Sequence, residues 1–364
     1  MTRSLAHFAT SPARLALTLA VVLLTAAAAH AQLPQARLYT VYPPGGQAGQ
    51  TVEIQITGDD LDDAHELRFD HPNIKAEPVR PEKTDLHPDP QPTPGKFKVT
   101  IGGDVPRGIY QVRAVGRFGL TNARAFVVDD RPTAMEANKR SLDDAQPVPM
   151  NSTVFGKVDQ RAYDVYAIEA KKDQRVLVEC IARRLDSKAD VTLKLFNPAG
   201  IEMQLSRDEE ITDALLDFTA PADGKYYVQV YDFTYEGGNE YTYQLRVGDG
   251  PYIDFVFPPA GERGKASPFT IYGRNLPGGS PTKLITAQGQ PLEQITTDIN
   301  VPGEGDQDGY ILPRQTVVES FAYRLDSPKG ASNKVRIGIT DARIVAEVEP
   351  NHEGSQSTNV DDPC

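Results

Sequence analysis

The chain is poor in the residues that build disulfide scaffolds and many catalytic or metal sites. It has two cysteines and six histidines among 364 residues. Two cysteines exclude a scaffold held by several disulfides, and the alternation of Cys180 with Val176 and Val178 predicts a small buried side chain. His65-Glu66 has no second histidine four residues after the first, so the zincin pattern fails. With no phosphate loop and no dinucleotide glycine fingerprint either, we predict no catalytic residues in this chain.

Basic residues are fewer than acidic ones, and no long apolar run follows residue 31. Arg3 and Arg14 accompany the apolar run Leu15–Ala29, and the small-x-small pattern of Ala29-His30-Ala31 predicts a signal peptide over residues 1–31. An uncleaved anchor is the alternative. The remainder has 36 basic and 50 acidic residues, a net charge of −14, which argues against nucleic acid and anionic membrane surfaces as partners. We therefore expect a secreted, periplasmic or cell-surface protein with no transmembrane segment after cleavage.

Apolar residues alternate with polar ones along most of the remaining chain. Val52, Ile54 and Ile56 alternate with Glu53 and Gln55, and similar runs are separated by turn residues. Such alternation places one set of side chains in a core and the other in solvent. Together with 29 glycines, 29 prolines and no helical stripe, it predicts an all-β chain of tandem antiparallel β-sandwiches. The proline-rich stretch His71–Lys96 is predicted to lie outside any sheet.

One passage occurs twice, which indicates a modular chain. Val41-Tyr42-Pro43-Pro44-Gly45-Gly46 recurs as Val256-Phe257-Pro258-Pro259-Ala260-Gly261, and eight of 21 positions are identical at an offset of 215. Gly119-Leu120-Thr121-Asn122 likewise corresponds to Gly330-Ala331-Ser332-Asn333 at an offset of 211. We predict a first module over residues 38–128 and a third module over 251–342, which flank a different middle module over 131–248.

The modules resemble known domain families. Pro43-Pro44-Gly45-Gly46 and Ile56-Thr57-Gly58, with their copies, resemble immunoglobulin-like IPT/TIG domains. In the middle module, Tyr163–Ala170, Gln174–Val178 and Gly224–Val230 follow one another as in the bacterial pre-peptidase C-terminal (PPC) domain, which implies a jelly-roll-like β-sandwich. The fuller pattern resembles exported multidomain proteins of planctomycete-type bacteria.

The last residues resemble the beginning of the middle module. Glu349-Pro350-Asn351 resembles Glu136-Ala137-Asn138, the segment that precedes the middle module's strands. We therefore predict that residues 346–364 are the disordered start of a truncated second PPC-type domain.

The PPC resemblance implies a candidate calcium site. In calcium-binding relatives, acidic and asparagine residues before the first strand join an aspartate of the sandwich, and the matching residues are Glu136, Asn138 and Asp164. The match is incomplete, because Ala137 replaces the usual proline and Lys139 and Arg140 add positive charge. A solvated linker is the alternative. The run Asp306-Gln307-Asp308-Gly309 lacks the later glutamate of an EF-hand and is interpreted as an acidic loop.

Tyrosines cluster around one hairpin of the middle module. Half of them should point into the core, which leaves Tyr227, Tyr231 and Tyr235 as a candidate tyrosine ledge for a ligand. Ordinary sheet packing is the alternative.

From these features we predict a non-enzymatic protein for binding, adhesion or spacing at the cell envelope, with an extracellular protein or polysaccharide as partner. Two alternatives stay open: the non-catalytic N-terminal part of a longer exported peptidase or other hydrolase, and a calcium-stabilised structural array of the envelope.

Overall fold

A computed structural model describes residues 34–85, 88–207, 213–305, 319–345, 347, 352, 353 and 355. The chain divides into a unit Met1–Gln35, of which residues 34 and 35 are described, and a unit Ala36–Cys364. Everything below concerns the second unit. The predicted signal peptide, the Asp306–Gly309 run and most of residues 346–364, including Glu349 and Asn351, lie outside the described residues.

The first module contains two sheets that face each other across a common core. Its strands are β1 (Arg37–Tyr42), β2 (Gly45–Gln47), β3 (Thr51–Asp59), β4 (Glu66–Phe69), β5 (Ile74–Pro78), β6 (Lys96–Ile101), β7 (Gly108–Gly116), β8 (Gly119–Leu120) and β9 (Arg124–Asp129). One sheet has the order β1-β3-β6-β5, and the other has the order β2-β9-β7-β4, with β8 paired to β7. Ile54 and Ile56 are buried while Glu53 is exposed, as the alternation predicts.

The middle module also contains two sheets. Its strands are β10 (Thr133–Met135), β11 (Gln146–Pro147), β12 (Ser152–Lys157), β13 (Asp164–Ala170), β14 (Arg175–Ile181), β15 (Val191–Phe196), β16 (Glu202–Ser206), β17 (Ala214–Thr219), β18 (Gly224–Asp232) and β19 (Thr242–Gly248). We call β10-β12-β19-β14-β17 the covered sheet and β11-β13-β18-β15-β16 the ledge sheet. Cys180 is a free, fully buried residue of the core between them, which confirms the prediction for this residue.

The third module repeats the plan of the first. Its strands are β20 (Tyr252–Phe257), β21 (Ala260–Glu262), β22 (Ala266–Arg274), β23 (Ser280–Ile285), β24 (Pro291–Asn300), β25 (Ser320–Tyr323) and β26 (Val335–Thr340). They form the sheets β20-β22-β24-β23 and β21-β26-β25. The predicted all-β fold of tandem sandwiches is confirmed, since the described residues contain one short 3₁₀ turn, Arg183–Leu185, and otherwise strands and loops.

The repeated sequence has a structural counterpart at the opening strands. In both copies this strand carries an irregularity, between Leu38 and Thr40 in β1 and between Ile253 and Phe255 in β20. An asparagine side chain bridges each irregularity. Asn122 accepts the Leu38 N–H and donates to its carbonyl, both at 2.9 Å. Asn333 does the same for Ile253, at 2.7 and 2.9 Å.

Gly58 and Gly273, which occupy the same position in the two copies, lie very close to the neighbouring backbone. A Cβ placed on Gly58 would lie 1.9 Å from the Arg37 carbonyl oxygen, and one on Gly273 would lie 2.1 Å from that of Tyr252. No side chain fits at such distances, so the repeated glycine is required by the geometry of the first strand pair.

Replacement of Asn122 by alanine should destabilise the first module. The change removes the acceptor of the buried Leu38 N–H, and an unsatisfied buried group costs about 1–3 kcal/mol. Urea unfolding of the full chain measures the loss. Asn73→Ala is the control, because Asn73 is exposed and its side chain bonds to exposed Asp104. Equal stability of the two variants would contradict a structural role for the asparagine bridge.

The prediction for the proline-rich stretch is wrong for residues 74–78 and for Lys96, which begins β6. Residues 74–78 form β5, which pairs with β6 from Ile74 opposite Ile101 to Pro78 opposite Phe97. The sheet tolerates Pro78 because β5 is an edge strand and Pro78 is its last residue.

The covered sheet is buried on both faces, which the alternation did not predict. Val176, Val178 and Cys180 point into the core as expected, but Leu177 and Ile181 between them are also buried. Phe155, Ile181 and Leu185 pack against Val127 of the first module. Leu177 and Leu215 pack against Tyr252 of the third module. The outer face of this sheet is therefore an interface with both neighbours, except at the edge strand β10, where Ala134 and Met135 are exposed.

Buried ion pairs join the middle module to the first. Asp129, which ends β9 and is fully buried, accepts hydrogen bonds from Thr153, Gln244 and Arg246 of the middle module at 2.9, 2.8 and 3.1 Å. Arg246 also pairs with Glu179 at 3.4 Å. These contacts fix the first module against the covered sheet.

A second group of ion pairs joins the middle module to the third. Arg175 pairs with fully buried Asp217 at 2.6 Å and also donates to the carbonyl of Pro291 at 2.9 Å. Arg274 of the third module lies 3.6 Å from Asp217. The two outer modules also meet directly, since Arg107 donates to the carbonyl of Ala331 at 3.2 Å.

Candidate functional site

One hydrogen-bonded loop presents Tyr235 at the end of β18. The buried Asp232 carboxylate accepts the backbone N–H groups of Thr234 and Glu236, both at 3.0 Å, and the Thr234 hydroxyl at 2.7 Å. Its other oxygen accepts the Asp190 N–H at 2.8 Å. Tyr235 itself has a φ of +58°, a left-handed conformation that a bulky residue rarely adopts. Such strain persists only where the surroundings hold it, and it is often found at functional positions.

The loop stacks the Tyr235 ring on Tyr231. The two ring centroids are 5.3 Å apart and the planes differ by 19°. Tyr235 is 48% exposed, whereas Tyr231, which was expected at the surface, is 7% exposed. Burial raises the pKa of the Tyr231 hydroxyl, which therefore stays neutral. Tyr227 lies on the same face of β18 and is half-buried, opposite Phe196 of β15.

Apolar and cationic side chains surround the stack. The Lys194 amine lies 5.9 Å from the Tyr231 ring centroid and 3.3 Å from the Glu202 carboxylate. Phe233, 49% exposed, carries the Arg207 guanidinium 3.5 Å from its ring centroid. The exposed Leu205 is paired with Lys194 across β15 and β16. The tyrosine ledge is therefore flat and aromatic in its middle and charged at its sides.

A groove continues from this face to the junction of the middle and third modules. Its volume is about 360 Å³, and side chains that can bond to hydroxyl groups line much of it. The lining includes Met203, Gln204, Leu205, Thr219, Gln288 and Gln290. Leu205 belongs to both the ledge sheet and the groove, so the two surfaces are continuous.

The structure brings two of the candidate calcium ligands together. The Tyr243 hydroxyl donates to Asp164 at 2.8 Å and to Glu136 at 3.4 Å. Glu136 also accepts the Lys157 N–H at 3.0 Å and the Tyr42 hydroxyl at 3.3 Å. Burial, reinforced by the negative charge of Asp164, raises the pKa of Glu136 to about 7. Burial also raises the pKa of Asp164 to about 6, although Tyr243 and Arg140 oppose the shift.

Asn138, the third candidate ligand, is linked to Asp164 by the side chain of Arg140. The Arg140 guanidinium donates to the side-chain oxygen of Asn138 at 3.3 Å and to Asp159 at 2.7 Å, and it lies 3.8 Å from Asp164. Among the residues that the structure describes, no three histidine, cysteine, aspartate or glutamate side chains are grouped closely enough to hold a metal ion.

The roles of two residues in these sites were not predicted from the sequence. Asp232 and Arg140 organise their loops through contacts with residues distant in the sequence, such as Asp190 and Asp159. A signal for Asp232 was available, because an aspartate two residues before a threonine at the end of a strand is typical of a side-chain-capped turn. Nothing local in the sequence indicates that Arg140 reaches Asp159.

Comparison with known proteins matches part of the middle module to a family. Residues 162–232 match the family "Bacterial pre-peptidase C-terminal domain". This match covers β13 to β18 and confirms the PPC resemblance for this part of the chain. No curated protein matches the chain. No helix among the described residues is both long enough and apolar enough to span a membrane.

Solved structures similar to the chain include three bacterial proteins. The pre-peptidase C-terminal domain of a Bacillus anthracis collagenase is 19% identical over 33% of this chain and 99% of its own, with a TM-score of 0.24. PliG of Aeromonas hydrophila, a periplasmic inhibitor of g-type lysozyme, is 18% identical over 31% and 97%, with a TM-score of 0.23. A Bacteroides ovatus mixed-linkage glucan utilisation protein, SGBP-B, is 13% identical over 75% and 70%, with a TM-score of 0.23.

Proposed function

We propose that this protein is an exported, non-catalytic polysaccharide-binding protein whose ligand lies on the tyrosine ledge of the middle module. The two outer modules are IPT/TIG-type Ig-like domains in this proposal and hold the middle module in a fixed orientation. The observation that carries the proposal is the half-exposed Tyr235 ring, held in a strained conformation and stacked on Tyr231.

The packing of the three modules supports this position for the ligand. The outer face of the covered sheet is occupied by the first and third modules, so it cannot receive a partner. The ledge sheet and the loop after β18 keep exposed aromatic and apolar residues, namely Leu205, Phe233 and Tyr235. A protein that only spaced other domains apart would have no need for a strained aromatic residue at its surface.

The chemistry of the surface favours a sugar chain. The C–H faces of pyranose rings pack on flat aromatic rings, and side-chain amides and hydroxyls bond to sugar hydroxyl groups. Tyr235 supplies the first kind of contact, and Thr219 and Gln290, whose side chains bond to each other at 3.1 Å in the adjoining groove, supply the second. A linear polysaccharide that begins on the tyrosine ledge and crosses Leu205 would meet both.

Replacement of Tyr235 by alanine should weaken polysaccharide binding about two- to tenfold, because an aromatic stacking contact is worth roughly 0.5–1.5 kcal/mol and each 1.4 kcal/mol is a factor of ten. The measurement is isothermal titration, with affinity electrophoresis, against soluble mixed-linkage glucan, xylan, mannan and dextran. The folded state should be retained, since Tyr235 is exposed and its loop is held by Asp232.

Phe118→Ala is the matched control. Phe118 is 42% exposed in the first module and carries Arg117 at 5.9 Å, much as Phe233 carries Arg207. This control should bind as the unmodified chain does. Equal affinity of the Tyr235 variant and the unmodified chain would contradict the ledge as the site. Failure of the unmodified chain to bind any of the four polysaccharides would contradict a neutral polysaccharide as ligand and favour a protein partner.

A further inference from the structure

Two of the three candidate calcium ligands, Asn138 and Asp164, lie beside a cation that belongs to the protein, the Arg140 guanidinium. The Arg140 guanidinium donates to Asp159 at 2.7 Å and to Asn138 at 3.3 Å. It also donates to the carbonyl of Tyr163 at 3.5 Å and lies 3.8 Å from Asp164. Four oxygens from four residues thus face one positive charge.

The chain folds so that Arg140 can reach these oxygens. Asn138 has a φ of +51°, and this left-handed residue turns the chain after β10. The next residue, Lys139, then accepts the N–H of Val165 in β13 at 2.7 Å. This backbone contact places Arg140 beside the start of β13, where Tyr163 and Asp164 lie. The backbone of Lys139 is therefore held against β13, which brings the Arg140 side chain within reach of these oxygens.

One buried oxygen faces the guanidinium without a hydrogen bond. The Asp164 side chain is 2% exposed, and its Oδ1 atom has no hydrogen-bond partner. A buried carboxylate oxygen without a donor is strongly unfavourable unless a positive charge is near. In the described residues around this atom, the nearest such charge is the Arg140 guanidinium at 3.8 Å.

These residues do not fit a calcium ion. Calcium needs six to eight oxygen ligands at about 2.3–2.6 Å. Here Asn138 and Asp159 already bond to the guanidinium, and Glu136 accepts the Lys157 N–H and the Tyr42 hydroxyl instead. A calcium ion could bind only if the guanidinium left.

We propose that the guanidinium of Arg140 takes the place of the calcium ion that the PPC resemblance implies, so that the middle module is stabilised by its own side chain and independently of calcium. An exported protein of this kind keeps the turn between β10 and β13 ordered at any external calcium concentration. The proposal is separate from ligand binding at the tyrosine ledge, which lies on other residues.

The unmodified full chain provides the first test. A ligand that binds the native state raises the unfolding temperature, by mass action. We expect the same unfolding temperature in millimolar calcium chloride and in chelator, at constant ionic strength. A rise of several degrees in calcium would overturn the proposal, because it would show that the ion occupies a site in the presence of Arg140.

Arg140→Ala provides the second test. Removal of the guanidinium should lower the unfolding temperature by several degrees in chelator, and calcium should restore part of this loss by binding the vacated oxygens. Terbium luminescence, excited through nearby tyrosines, should appear in this variant and be displaced by calcium. Lys139→Ala is the control, since Lys139 pairs with exposed Asp144 at 2.8 Å and should show neither effect.

Two results of the second test would overturn the proposal. One is an unchanged unfolding temperature of Arg140→Ala in chelator. The other is a lowered temperature that calcium does not raise, which would mean that Arg140 forms an ordinary ion pair. Arg140→Lys is used if the alanine variant does not fold. Its single ammonium cannot bridge the separated oxygens, so we expect an intermediate unfolding temperature that calcium raises, and a calcium-independent one would overturn the proposal.

Discussion

Arg246→Ala is expected to lower the free energy of unfolding by about 3–5 kcal/mol at pH 7, because it removes the cation that two buried carboxylates share and leaves Glu179 with Arg184 alone. Asp129 is fully buried and Glu179 is 7% exposed, and Arg246 pairs with both of them. Urea unfolding followed by circular dichroism measures the loss. The control is Arg68→Ala, which breaks an exposed pair with Glu66 and should cost no more than about 1 kcal/mol.

The effect of Arg246→Ala should also depend on pH. Burial alone would raise the pKa of Glu179, but the charges of Arg184 and Arg246 hold it at about 2. A depressed folded-state pKa contributes stability that is present above the unfolded value of about 4.3 and is lost as the pH falls toward 2. Without Arg246 the folded-state pKa of Glu179 rises, so the variant has less of this stability to lose. The difference between the variant and the unmodified chain should therefore shrink between pH 5 and pH 2. A pH-independent difference would contradict the electrostatic explanation.

Phe155→Ala is expected to cost about 3–5 kcal/mol, as for other large aromatic residues removed from a packed interior. Phe155 is 1% exposed, and it packs against Ile181 and Leu185 of its own module and Val127 of the first module. A Cβ on Gly45 would lie 3.0 Å from the Phe155 ring, which shows how closely the modules approach. The measurement is again urea unfolding of the full chain.

The control for Phe155 is Phe118→Ala, since Phe118 is 42% exposed and its removal leaves no cavity. Far-ultraviolet circular dichroism should show unchanged strand content for both variants. If Phe155→Ala lost no more stability than Phe118→Ala, the first and middle modules would not be packed together in solution as described.

The alternation of apolar residues predicted the strands and one buried face of each sheet, because that pattern depends on neighbouring residues alone. Val176, Val178 and Cys180 are in the core for this reason. The second buried face of the covered sheet was missed. Leu177 and Ile181 are apolar in the sequence, but between them stands Glu179, whose burial depends on Arg184 and Arg246. Packing between modules is set by contacts of this kind, which no local pattern contains.

The candidate sites could also be predicted only in part, because some of their contacts join residues that are distant in the sequence. The alternation of β18 placed Tyr227 and Tyr231 on one face, but the stacking of Tyr235 on Tyr231 comes from a turn organised by Asp232. The family resemblance pointed to Glu136 and Asp164, which indeed contact the same hydroxyl of Tyr243. It could not show that Arg140 lies beside Asp164, because that contact depends on the left-handed turn at Asn138.

The packed interfaces hold the proposed binding surface in a fixed position relative to the outer modules. The first and third modules contact each other as well as the middle module, through Arg107 with Ala331 and through Arg324 with the Arg107 carbonyl. A polysaccharide bound at Tyr235 would therefore meet a single rigid surface that includes the groove at Gln288. In this account the outer modules orient the middle module, and the tyrosine ledge makes the contacts with the polysaccharide.

Hydrogen–deuterium exchange of the full chain, with and without the polysaccharide that binds best, tests this account most directly. We expect added protection in β15, β16 and the Asp232–Glu236 loop, and none in the first module. The strands β12 and β14 should exchange slowly in both states, because their outer faces are buried between modules. Ligand-induced protection confined to the first module would contradict this account, and so would fast exchange of β12 and β14 in the free chain.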